Sequence, residues 1–316
     1  MQINCPLAGL NEVSSLIKIG ADMFYAGLDS EIIFGPSSGL LNRRPWKAAN
    51  FNLLEDFKKA CFLVHEHGKK ISLAINEHFY TDEQIAKIID FIRANQGIID
   101  GYIVADLGLM LALKKEFSDV DIVASTGAHV QNANAINFFK KIGLQKIVIP
   151  RHFSISEIKK MTDERSDLDF ECFIFGGDCA NVDGLCRFTH GVFDCDKSKN
   201  ACSSMYNFVV SGTEIPDLDS SCASESEIAT RLNNYNKIMF NNCGACALWE
   251  LSRMNIRTVK IIDRETPFKQ RLRYVFFIKK ALSYVHLPKD KYEDLVRIFY
   301  KEIFGGHCGR RCLFKG

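Results

Sequence analysis

The sequence predicts an α/β fold, a (β/α)8 TIM-like barrel carrying a cysteine-rich insertion between its seventh and eighth strands and a helical C-terminal tail. Two observations predict it. Short β-rich runs alternate with amphipathic helical stretches through the first 170 residues, the signature of repeated units around a parallel sheet. An eighth β-rich run then returns only after a polar stretch of irregular pattern.

The candidate strands are residues 2–6, 23–27, 70–76, 101–105, 121–125, 146–150, 170–175 and 258–262. Eight parallel strands are the number that closes a barrel. The helices between them carry their own punctuation. Asn52 with Glu55, Thr81 with Gln84 and Ser154 with Glu157 each read as a cap and its reciprocal partner. Gly20, Gly68 and Gly143 follow the last periodic residues, where a left-handed backbone favours glycine. Ile85, Ile88, Ile89 and Ile92 recur at helical spacing and are expected to face the barrel.

Residues 177–247 break the rhythm, and a stretch that long without periodicity inside a compact domain marks a functional insertion. Helix resumes from about residue 267, with Tyr274, Phe277, Ala281, Leu295, Ile298 and Phe299 at helical spacing. The expected organisation is a barrel over 1–266, including the insertion, and a helical extension over 267–316 packed on it.

Composition narrows the function. The chain of 316 residues has 40 Lys and Arg against 38 Asp and Glu, a formal charge of +2. That balance speaks against a generic nucleic-acid surface and leaves a local basic patch open. The opening MQINCPLAGL shows no signal-peptide pattern, and no apolar run approaches a bilayer span, so a cytoplasmic protein is expected. In a reducing compartment, clustered thiols serve metals or catalysis more often than disulfides.

There are twelve cysteines, and most crowd one region. Cys179, Cys186, Cys202 and Cys243 follow C-x6-C-x15-C-x40-C, too wide for the paired knuckles of common zinc sites. Such spacing suits four thiolates converging from loops at the strand ends, where barrel active sites form. Four thiolates are the usual ligands of a [4Fe–4S] cluster, with zinc as the alternative. Cys195, Cys222 and Cys246 offer substitute ligands, and Cys308 with Cys312 offers a second site or an exposed tail.

Several polar residues fall at or beyond predicted strand ends. Asn76, Asp106, Arg151 and Glu171 are the catalytic candidates. Arg43, Arg44, Ser125, His129, Lys260 and Arg264 are the substrate-binding ones. For Asp106, capping of the next helix competes with that role. His78 and His129 read equally as proton carriers or structural histidines.

The segment ECFIFGGDCANVDGLCR, residues 171–187, resembles the signature of the peptidase U32 family, an E-x-F-x-x-G-x-x-C stretch followed by G-x-C. Residues 243–264, CGACALWELSRMNIRTVKIIDR, are similar to a family stretch with a cysteine seven residues before a glutamate. Counting back from Glu250 selects Cys243 rather than Cys246. Asp22, Tyr25, Gly27, Asn50, Lys70, Asn76, Asp106, Ser125, Asn132 and Arg151 match further family motifs.

The resemblance implies a cluster on the four cysteines and oxygen-independent hydroxylation of quinone precursors or of RNA bases. Chain length and Phe175-Gly176-Gly177 look most like the ubiquinone branch, which implies a small organic substrate, a redox partner and a homologous partner chain. A U32-type peptidase and a non-catalytic cluster-bearing subunit are the alternatives. Two departures separate the chain from the pattern. Lys260-Ile261-Ile262-Asp263-Arg264 stands where the family has K-I-E-G-R, and Arg151-His152 where it has an Arg-Glu pair.

Overall fold

The computed structural model describes residues 1–36, 39–163, 167–177, 179, 182–186, 242–306, 308 and 312–314. Eight parallel strands form a closed ring: β1 (Gln2–Pro6), β2 (Met23–Ala26), β3 (Lys70–Ile75), β4 (Gly101–Val104), β5 (Ile122–Ala124), β6 (Lys146–Val148), β7 (Asp169–Gly176) and β9 (Ile256–Ile261). Each is one of the predicted strands. Pairing of β6 with β7, β7 with β9 and β9 with β1 closes the ring. A two-residue strand, β8 (Asn242–Cys243), adds antiparallel to the end of β7 and has no counterpart in the sequence pattern.

The helices after the early strands are α1 (Val13–Ile19), α2 (Glu31–Phe34), α3 (Leu54–Glu66), α4 (Asp82–Ala94), α5 (Leu107–Glu116), α6 (Ala133–Lys141) and α7 (Ile155–Thr162). Thr81 and Ser154 form the predicted reciprocal caps. Asn52 does not cap α3, whose capping position is Leu53 and carries no side-chain bond. Gly20, Gly68 and Gly143 have φ of +112°, +65° and +86°, as their helix-ending role requires. On α4, Ile88 and Ile92 are buried, and Ile85 and Ile89 pack against the same core.

The later helices are α8 (Leu248–Leu251), α9 (Phe268–Leu282) and α10 (Lys289–Phe304). Helix α9 packs on β1 and α1, and α10 packs on α9. The buried face of α10 is Tyr292, Val296 and Phe299; Ile298, expected there, is 52% exposed. Tyr292 sets this rotation, because its hydroxyl donates to the Ala245 carbonyl at 2.7 Å. Arg271 fixes α9 from the other side through the Pro6 carbonyl at 2.9 Å and the Glu12 carboxylate at 2.8 Å.

A register shift in the β7–β9 ladder between Phe173 and Phe175 reverses the face that β7 presents. Phe173 lines the barrel interior. Phe175 turns outward against Tyr274 and Phe304, with ring centroids at 4.3 and 5.6 Å. Truncation by Phe175→Ala removes this buried ring and is expected to cost about 3–5 kcal/mol. Urea unfolding would show it, and a loss within error of zero would mean that the helical tail is held by other contacts.

Candidate active site at the barrel mouth

The site rests on a charged floor. Glu171 lies inside the ring with no exposure to solvent. Its carboxylate accepts from Lys260 Nζ at 2.9 Å and Asn4 Nδ2 at 2.7 Å, and Lys146 stands 3.9 Å away. Burial pushes this carboxyl up; Lys260, Lys146 and the two hydrogen bonds more than offset that and hold it below the ordinary range. The Lys260 ammonium also lies 4.1 Å from the centre of the Tyr25 ring, whose hydroxyl donates to the Ile261 carbonyl.

Above this floor, at the carboxyl ends of the strands, a cavity is lined by five basic side chains, Arg43, Arg44, Arg151, Lys260 and Arg264, and two acids, Asp183 and Asp263. Asn76, Ser125, Cys179 and Cys186 share it. Nine of the sequence-selected residues therefore meet in one mouth. Lys260 projects from β9 itself and the others come from the loops after β2, β3, β5, β6, β7 and β9, as parallel strand ends dictate.

Each guanidinium has a distinct engagement. Arg151 makes a two-pronged pair with Asp183, its Nε donating at 2.9 Å, and its Nη1 donates to the Gly177 carbonyl at 3.0 Å. Burial raises the Asp183 carboxyl, and the Arg151 charge brings it below the ordinary range. Arg43 pairs with Glu77 at 3.0 Å and donates from Nη2 to the Cys186 sulfur at 3.3 Å. Arg44 faces Asp263 at 3.5 Å.

Arg264 is buried, donates to Asn42 Oδ1 at 2.6 Å and has a buried Nε without a partner. Burial lowers it to about 10, so it stays charged at neutral pH. It lies directly against Gly27, where an added Cβ would stand 2.7 Å from its Cζ. Only glycine leaves room for that guanidinium.

Four sequence-selected residues stand elsewhere. Asp106 caps α5, its Oδ1 accepting from Leu109 N at 2.6 Å. Glu171 is in the floor and does not line the cavity. His129 has a left-handed backbone and packs beneath Gly184 of the thiol-bearing loop, where a Cβ would meet its Cα at 2.7 Å. Cys243 stands on β8, paired with the outward-facing Phe175. Cys202, Cys195 and Cys222 lie outside the described residues.

Cys179 and Cys186 fit a thiolate-ligated group, since the Arg43 donor aimed at Cys186 favours a sulfur carrying negative charge. Cys243 is not among the residues lining this cavity; burial pushes its thiol up, and the Ala245 N–H bond to its sulfur opposes that. Among the described residues no three His, Cys, Asp or Glu side chains already surround one metal position.

Sequence reasoning missed Asp183, Glu77 and Asp263 as members of the site. Asp183 lies between the two quoted cysteines, so proximity to the motif was the available signal. His78 also lines the mouth. Burial, with the Arg43 charge beside it, lowers its pKa and keeps the ring neutral. Ser125 Oγ accepts from Asn76 Nδ2 at 3.5 Å and Gly127 N at 3.4 Å, and among the described residues it bonds no histidine that would activate it as a nucleophile.

A closed parallel barrel with two thiols and several guanidinium groups lining the cavity at its strand ends defines a (β/α)8 barrel protein with a basic, cysteine-bearing mouth. Residues 8–308 match the profile of Peptidase family U32, and the chain belongs to that family. The chain is 26% identical over 204 residues to the tRNA hydroxylation protein P of Haemophilus influenzae, covering 63% of this chain and 41% of that protein. It is 28% identical over 202 residues to the uncharacterized protease MJ0090 of Methanocaldococcus jannaschii, covering 61% and 45%. To the collagenase of Porphyromonas gingivalis it is 24% identical over 215 residues, covering 65% and 48%. The chain thus spans less than half the length of these relatives. Among the described residues no helix is long and apolar enough to cross a membrane.

Two outcomes test these electrostatics. Glu171→Gln leaves Lys260 buried opposite a neutral group and is expected to cost about 3–5 kcal/mol, most of it recovered in Glu171→Gln/Lys260→Met, by denaturant titration. The second concerns Glu265, beside the mouth, which burial and then the Asp263 carboxylate raise from 4.5 to about 7. The folded state then binds the proton more tightly than the unfolded one, so this contribution to stability is present in acid and lost as pH rises through about 7. Thermal unfolding of Glu265→Gln from pH 5 to 8 should lack that decline, and a parallel decline would assign it to another group.

Proposed function

We propose that the chain takes part in hydroxylation, without molecular oxygen, of a planar organic ring on an anionic substrate held in the barrel mouth. One observation supports the reading: Cys179 and Cys186 share a cavity with Arg43, Arg44 and Arg264, so thiols of the kind that ligate a redox centre and guanidinium groups suited to an anion line the same space. The cluster we assign to Cys179, Cys186, Cys202 and Cys243 would supply one-electron transfer. Zinc is the alternative metal.

The chain's own residues then have separate tasks. Arg43 stabilises negative charge on the Cys186 sulfur. Arg151 holds the thiol loop through Asp183. The unpartnered Arg264 Nε and Asn76 Oδ1 present a donor and an acceptor in the mouth. The relatives named for tRNA hydroxylation favour a base in tRNA over a quinone precursor. The same reading includes a homologous partner chain and a redox partner.

Anaerobically purified protein should contain iron and sulfide, lost in Cys179→Ser/Cys186→Ser. Mass spectrometry of tRNA nucleosides and quinones from cells with and without the gene should show one hydroxylated species missing. Arg43→Ala is expected to lower its formation about 10–100-fold. Unchanged nucleosides and quinones would reject the reading, and gelatin turnover surviving Cys179→Ser would point to peptide hydrolysis, as the protease and collagenase names of other relatives suggest.

A further inference from the structure

The two acids that line the mouth are held in opposite ways. Asp183 is gripped by Arg151 through a two-pronged pair. Asp263 is not gripped. Its Oδ1 is sealed from solvent and accepts no hydrogen bond among the described residues, while Arg44 Nε faces it at 3.5 Å in an ion pair alone. Arg44 is held as loosely: its side chain keeps 27% exposure, and its guanidinium otherwise lies 5.5 Å from the centre of the Trp46 ring. Beside them the buried Arg264 keeps its Nε without a partner.

The backbone singles out the same residue. Asp263 has φ of +86°, a region where glycine is at ease and other residues are uncommon. Glycine would meet that demand better, and it is the residue that the similar K-I-E-G-R pattern carries at this position. The turn that follows does not use the side chain, since the Asp263 carbonyl accepts from Thr266 N at 3.2 Å. An uncommon conformation is therefore tolerated to keep a carboxylate inside the mouth. Asp263 also lines the adjoining cleft with Glu265, Gly177 and Tyr274, which gives the carboxylate a second place to point. There Glu265, raised by burial and then by Asp263, keeps its proton up to about pH 7 and can donate to a carboxylate turned toward it.

We propose that Arg44 and Arg264 form the anion subsite of the mouth, taking a phosphate group of the ligand, and that Asp263 is the internal counter-ion of Arg44 which this phosphate displaces. A phosphate offers a guanidinium two oxygens in matching geometry. Asp263 offers Arg44 one, without a hydrogen bond. Ligands lacking an anionic group leave the pair closed, so Asp263 sets which ligands enter. Only the anionic ligand of the proposed function is required here, and not its hydroxylation chemistry.

Calorimetric titration of the full chain with inorganic phosphate at constant ionic strength tests this without any reaction. Asp263→Asn and Asp263→Gly are each expected to bind phosphate about tenfold more tightly than wild type. Glycine suits the backbone at this position, so the second variant serves if the first does not fold. In an Arg44→Ala background the gain from Asp263→Asn should vanish, because competition needs the shared guanidinium. Equal gains with and without Arg44 would make Asp263 a distant repulsive charge and overturn the assignment, as would weaker phosphate binding in both Asp263 variants or none in any chain. Unchanged nucleosides and quinones alongside the Asp263 gain would strike the hydroxylation reading alone.

Discussion

A carboxylate sealed from water governs the architecture. Glu171 of β7 can remain charged only because Asn4 of β1, Lys146 of β6 and Lys260 of β9 reach it from three other strands. Those are the strands whose pairing shuts the ring. A one-residue slip of β7 or β9 would turn the carboxylate or its ammonium away from the interior and leave the other buried alone. The electrostatic requirement thus specifies register at the seam, where hydrophobic pattern alone would admit neighbouring alignments.

Register at the seam in turn fixes the mouth. Lys260 contributes to the floor, and Arg264, four residues later, leans over Gly27 at the end of β2. Arg151, after β6, grips Asp183 on the loop that follows β7. The thiol loop is consequently positioned by strand ends rather than by its own local structure. Basic groups outnumber acids in the cavity although the whole chain is nearly neutral.

The sequence exposed the repeating part of this design far better than the irregular part. Period and punctuation identify the eight strands, and the Thr81 and Ser154 caps follow from local rules that tertiary structure had no reason to override. Asn52 shows the limit, since a plausible capping pattern yields when the chain enters the helix one residue later. Arg43, Arg44, Lys260 and Arg264 could be chosen because guanidinium and ammonium groups at strand ends have few structural uses. Asp183 and Glu77 were illegible because an acid looks the same in sequence whether it meets water or a buried arginine.

The irregularity in β7 gives that strand two audiences. Phe173 belongs to the ligand chamber, whereas Phe175, two positions on, belongs to the aromatic packing beneath the terminal helices. Only Ile174 separates the two rings, so the wall of the chamber and the seat of the terminal helices are built on the same three residues of one strand.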